Sequence, residues 1–210
     1  MTRDPEGGVI PPPLQNLTAS LGAAKPRGPA PVEKWNPPFC GFIDLRIASD
    51  GTWFHAGTPI LRPALVSLFA SILRKDPNRY VLVTPVECVG ITVDDVPFIA
   101  TAMAREEGVL VISTNLGDEV RAGAEHPLRF AFDETGGVKP YVHIRGGLWA
   151  RFTRALALEL IDQGIARENG SQDRENGAQD LENGIQEQFG VVSGGVFFPI
   201  EPEAAEDLTP

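Results

Sequence analysis

Four arginines, Arg46, Arg62, Arg145 and Arg151, sit inside or beside strongly patterned apolar segments, with Asp44, Glu87, Asn115 and Tyr141 close to them in the pattern. A guanidinium is a planar fork that holds carboxylate or phosphate through two parallel hydrogen bonds. Gathered in one cleft, this set would bind a small anionic metabolite or a nucleotide-like molecule. The same side chains could instead form structural ion pairs, such as Arg62 with Glu87 or Arg145 with Asp44. Breaking a buried pair costs about 3–5 kcal/mol, so arginines with that role are common. Hydrolase-like chemistry is the alternative, with His55 or His143 as general base and Asp44 or Glu87 to orient it. A base must reach its proton at roughly 2.6–3.2 Å, or through one water.

Several reaction signatures are absent from the sequence: G-x-S-x-G, G-x-x-x-x-G-K, G-x-G-x-x-G and H-E-x-x-H. His126, Cys40 and Cys88 complete the soft-ligand inventory, at spacings that match no zinc site. No metal and no cofactor are expected.

The elements that must position these residues are legible. Ile43, Leu45 and Ile47 alternate with Asp44 and Arg46, which reads as a strand with the charged pair on one face. Asp50-Gly51 then turns the chain, and Trp53, Phe54 and His55 start the return strand. Pro63 suits a first helical position, and Leu65, Leu68, Phe69, Ile72 and Leu73 form an apolar stripe, with Asp76-Pro77-Asn78 as the stop. Tyr80 to Thr84 and Val86 to Val93 read as buried strands, with Thr84-Pro85-Val86-Glu87 between them. A meander follows over residues 96–133, with Thr114-Asn115 ending one of its strands. Pro140 to Arg145 is a further strand, placing Tyr141, His143 and Arg145 on one face. Leu148, Phe152, Leu156 and Leu160 then suggest a helix after Gly147, with Arg151 in its first turn.

This order of strand, turn, strand, helix, strand, strand occurs twice and reads as an internal duplication. The expected fold class is α+β, with two similar repeats of antiparallel strands, each packed with one helix, over residues 39–95 and 96–202. Ser193-Gly194-Gly195 would match Thr84-Pro85-Val86. Residues 1–38 read as a docking helix, from Leu14, Leu17 and Leu21, followed by a proline-rich extended lead-in. Residues 166–188 contain a heptad repeated three times, each copy carrying Glu-Asn-Gly, and read as a disordered acidic insertion. Residues 203–210 read as a tail.

The net charge of -10 over 210 residues is uneven: residues 39–164 carry -3 and residues 165–210 carry -8. A core with no basic stripe argues against nucleic-acid binding. No apolar run approaches the roughly 18–20 residues that span a bilayer. The proline-rich, acidic start differs from a signal peptide, and two cysteines do not make a disulfide framework. A cytoplasmic location is expected.

The strings Trp35-Asn36-Pro37-Pro38-Phe39-Cys40-Gly41, Ile43-Asp44-Leu45-Arg46-Ile47 and Asp50-Gly51-Thr52-Trp53-Phe54-His55 closely resemble a bacterial family, domain-of-unknown-function family 1285. So do Leu82-Val83-Thr84-Pro85-Val86-Glu87, Thr114-Asn115, Pro140-Tyr141-Val142, Arg145-Gly146-Gly147-Leu148 and Ser193-Gly194-Gly195-Val196-Phe197-Phe198. The resemblance spans about residues 35–200, and the heptads depart from it. It implies two repeated α+β units, the second superficially like a pleckstrin-homology domain. It also implies a binding site between the units and a link to signal transduction, and it brings no established activity, cofactor or catalytic residue. The expected function is a regulatory or ligand-binding protein with a small anion between the repeats. An enzyme and a protein-interaction module that binds a protein partner are the alternatives.

Overall fold

A computed structural model of the chain describes residues 29–168 and 187–201. The expected N-terminal helix, the heptads and the tail lie outside the described residues, except at the margins of the insertion. Residues 166–168 and 187–188, expected to be disordered, are strand residues that pair with each other or with their neighbours. Apolar Ile165 and Phe189 flank the acidic repeats and extend a hairpin into them.

The first sheet is built from β1 (Phe39–Ile47), β2 (Trp53–His55), β3 (Thr58–Pro59), β4 (Leu73–Asp76), β5 (Arg79–Val83) and β6 (Cys88–Val93), with helix α1 (Pro63–Ser71) between β3 and β4. Its order is β3-β2-β1-β6-β5-β4, antiparallel except for the central parallel pair β1 and β6. The second sheet contains β7 (Phe98–Glu106), β8 (Val109–Thr114), β9 (Glu119–Arg121), β10 (Leu128–Phe132), β11 (Val138–Arg145) and β12 (Leu148–Phe152). Read from β9, its order is β9-β8-β7-β12-β11-β10, again with a parallel central pair, β7 and β12. The two sheets therefore share one strand order. Helix α2 (Arg154–Asp162) follows β12, and a small antiparallel sheet of β13 (Ile165–Glu168), β14 (Glu187–Ser193) and β15 (Val196–Pro199) completes the fold.

The fold is α+β with two similar sheets and one helix each, but the repeats correspond differently from the sequence reading. The helix joins the third and fourth strands in the first unit and follows the sixth strand in the second. The counterpart of the Thr84–Glu87 turn is thus the Gly146-Gly147 turn, not Ser193-Gly194-Gly195. Two local corrections explain the shift. Helix α1 stops at Ser71, and Leu73 to Asp76 pair antiparallel with Leu82 to Arg79, so Asp76-Pro77-Asn78 is a hairpin turn. Residues 148–152 form a strand, because Gly146 and Gly147 have φ of +49° and +76° and fold the chain back on β11. Ser193 instead secures the small sheet: its buried hydroxyl donates to the Ala122 carbonyl at 2.7 Å and accepts from the Leu110 N–H at 2.9 Å. One continuous apolar core joins the units, with Leu45, Phe69 and Leu82 in the same cluster as Phe98, Leu110 and Phe152.

Candidate functional site

The connection between β6 and β7 carries two adjacent carboxylates, Asp94 and Asp95. Arg46 reaches Asp94 at 2.5 Å, and its guanidinium lies 4.9 Å from the centre of the Phe54 ring. Asp95 accepts from the Tyr141 hydroxyl at 3.1 Å and from Arg151 Nη1 at 3.0 Å. Arg151 Nη2 donates across the junction to the Ser49 carbonyl. Burial pushes the Tyr141 phenol above the usual tyrosine range, and the Asp95 charge adds to that effect. Beside this network, the Asn115 side chain accepts from the Ile99 N–H at 3.0 Å. Arg46, Tyr141, Arg151 and Asn115 are therefore gathered near the junction, where a protein group holds at least one polar atom of each.

Arg151 lies on β12, not on a helix, and register pairs it with Tyr141. Arg145 departs from the face shared by Tyr141 and His143. The register slips between His143 and Arg145, and Arg145 pairs with Leu148 on the core side. Its guanidinium binds Asp118, donates to the Ala70 carbonyl at 3.0 Å, and lies 5.0 Å from the Phe98 ring centre. The Arg145–Asp44 pair is not formed, because Asp118 is the Arg145 partner and Asp44 sits exposed on the outer side of β1. Arg62 stands just before α1 without a side-chain hydrogen bond to the helix start, His55 is half-buried on β2, and Glu87 lies in the β5–β6 turn. The structure does not bring these last residues to the junction network.

A cavity of about 380 Å³ opens between the two units. Its walls are residues 29–33, Leu73 and Arg74 of β4, and Arg145, Gly146 and Leu148 of the second sheet. Arg74 fixes the lead-in segment as a wall: it holds Asp76 at 2.8 Å and donates to the carbonyls of Val32 at 3.1 Å and Trp35 at 2.7 Å. Glu33, in a short 3-10 turn spanning Val32–Lys34, contributes a carboxylate to the same cavity. Arg74 and Glu33 were missed in the sequence, as were Asp94, Asp95 and Asp118. Arg74 is hidden in the sequence because it directly follows the helical apolar stripe that ends at Ile72 and Leu73. The twin aspartates between two apolar strands were a readable sign of a junction.

His143 does not present a free base. Its Nδ1 faces the Glu125 carbonyl at 3.2 Å, and its Nε2 accepts from the Gly147 N–H at 3.3 Å. Among the described residues, no group of three or more His, Cys, Asp or Glu side chains is placed to hold a metal ion. No helix among them is long and apolar enough to cross a membrane.

Two family models match the chain: the domain of unknown function DUF1285, N-terminal domain, over residues 30–96, and the DUF1285 C-terminal domain over residues 97–200. No curated protein matches. The crystal structure of a DUF1285 family protein from Silicibacter pomeroyi is similar, with 47% identity and a TM-score of 0.70, over 87% of this chain and 92% of that one. A second, from Shewanella baltica, is 26% identical over 57% of this chain and 91% of that one, with a TM-score of 0.48. The matched models together cover both sheets, and with the Silicibacter likeness they establish that this chain belongs to the DUF1285 family.

Proposed function

We propose that the protein is a ligand-binding, regulatory protein that takes a small anionic molecule in the cavity between its two units. The observation that carries this reading is the placement of two arginines from different units, Arg74 and Arg145, on the walls of one largely apolar cavity. The volume, about 380 Å³, lies in the range of small-molecule sites. Arg145 also touches the C-terminal end of α1 through the Ala70 carbonyl. An occupant drawing on Arg145 would therefore alter a contact between the units, which is how binding could be passed on as a signal.

The test is a panel of nucleoside phosphates and di- and tricarboxylates at low salt, followed on the backbone amides of Val32, Gly146 and Gly147. Binding is expected to shift those amides and raise the melting temperature. A panel that leaves all three amides unmoved while the protein stays folded overturns the reading.

A further inference from the structure

The outer face of the first sheet is covered near one edge and open at β1. Arg74, Val81, Gly90 and Phe42 are successive register partners across β4, β5, β6 and β1, so these four positions share that face. At the β4 edge, Arg74 holds the Val32 and Trp35 carbonyls, and Val81 beside it is fully buried. On β1, Phe42 is 66% exposed and Phe39 is 39% exposed. Strict alternation would put residues 39 and 42 on opposite faces. A register shift between them, with Gly41 at a φ of +95°, brings them together, and their rings meet edge to face at 5.6 Å. The Phe42 ring lies against Gly90, where a Cβ would come within 2.5 Å of it, so any side chain there would lift the ring off the sheet. The Arg79 guanidinium lies 4.1 Å from the centre of the Phe39 ring. The result is an aromatic platform left uncovered by the described residues.

The described chain starts at Pro29, at the β4 edge, where the Ala30 N–H donates to the Ser71 carbonyl at 2.9 Å. Neighbouring strands are about 4.8 Å apart, so Phe42 lies three strand spacings, about 14 Å, from Arg74. Pro29 is three residues before Val32, which places it on the order of 20 Å from Phe42. The eight residues from Leu21 to Pro29 extend to about 26–29 Å, enough to span that gap. Leu14, Leu17 and Leu21 recur at helical spacing, and a helix that short needs a surface to dock on. We propose that residues 14–21 dock as a helix on the outer face of the first sheet, with their leucines against Phe39 and Phe42. The proposal does not depend on the cavity being a ligand site.

The experiment follows the backbone amides of the full chain by NMR, in the wild type and in Leu17→Ser, Phe42→Ser and Leu61→Ser. Leu17→Ser is expected to move the amides of Phe42, Gly90 and Val81, and Phe42→Ser to move those of residues 14–21. Amide exchange at Leu17 and Leu21 should be at least about tenfold slower in the wild type than in Phe42→Ser. Leu17 precedes the described fold and Phe42 is exposed, so both variants report docking and not unfolding. Leu61, 84% exposed beside the opposite edge strand β3, is the control, and Leu61→Ser should leave residues 14–21 unmoved. If Leu17→Ser leaves Phe42 and Gly90 unmoved, or if exchange at Leu17 is the same with and without Phe42, the proposal falls. It falls equally if Leu61→Ser acts as strongly as Phe42→Ser. If the Phe42 and Gly90 amides move with protein concentration and not with Leu17→Ser, a second copy of the chain covers the platform and the proposal falls.

Discussion

His143 is withdrawn from acid–base chemistry by its neighbours. The Glu125 carbonyl requires a hydrogen on Nδ1, and the Gly147 N–H requires a lone pair on Nε2, so the neutral ring satisfies both contacts. The His126 ring stacks at 6.0 Å and donates from Nδ1 to the His143 carbonyl at 3.1 Å. Trp149 meets the ring edge-on at 5.3 Å, and Arg129 lies over Trp149 on the neighbouring strand. Burial is the first cause holding the His143 pKa below its ordinary value, the Glu125 hydrogen bond opposes it, and the His126 and Arg129 charges add to it. A depressed pKa means that the unfolded chain binds the proton more tightly. The stabilisation is then complete above about pH 6.5, the ordinary histidine value, and is lost as pH falls through the folded value. The His143 ring should therefore titrate below a free histidine, and the Gly147 amide should move at the same pH. Replacing it, His143→Phe, should flatten the fall in stability between pH 7 and pH 5, measured by urea denaturation.

The elements were legible wherever one periodicity applied and ambiguous where two did. Ile43, Leu45 and Ile47 fit only a strand, and β1 forms there. Leu148, Phe152, Leu156 and Leu160 recur every four residues, which suits one helix face and equally one strand face, since four is a multiple of the strand period. The boundary between the two regimes is marked by Thr153, whose hydroxyl accepts from the Leu156 N–H and caps α2. A threonine between two apolar segments is the signal in the sequence, and the regular leucine spacing masks it. The cap also predicts a measurable cost. Thr153→Ala should destabilise the protein by about 1 kcal/mol, and Thr153→Ser should restore most of the loss. Chemical denaturation at neutral pH distinguishes them. Equal stability of the alanine and serine variants would show that the hydroxyl does not cap α2 in solution.

At the scale of the molecule, the junction decides how the candidate arginines are used, and the sequence does not reveal their partners. Arg151 and Ser49 are 102 residues apart, and Arg145 and Ala70 are 75 apart. No local pattern reports such pairs; they follow from the common strand order of two sheets packed on one core. One close point of that packing is Gly51, in the turn between β1 and β2. A Cβ at Gly51 would lie 2.7 Å from Ile99 Cγ1 and 3.0 Å from Asn115 Nδ2, both in the second unit. Gly57, in the next turn of the same sheet, also has positive φ, at +73°, but a Cβ there meets nothing within 4 Å. The two positions separate backbone strain from contact between units. Gly57→Ala should show only the left-handed penalty, about 1–2 kcal/mol. Gly51→Ala should show a similar penalty and a further overpacking cost of about 1–3 kcal/mol. Shortening the obstructing side chain, Gly51→Ala with Ile99→Ala, should recover part of that second cost, read as a coupling energy in a double-mutant cycle. If Gly51→Ala costs no more than Gly57→Ala, and Ile99→Ala shows no coupling to it, the turn does not bear on the second sheet in solution. The Ser49 contact of Arg151 would then lose its support as well, because the same turn presents that carbonyl.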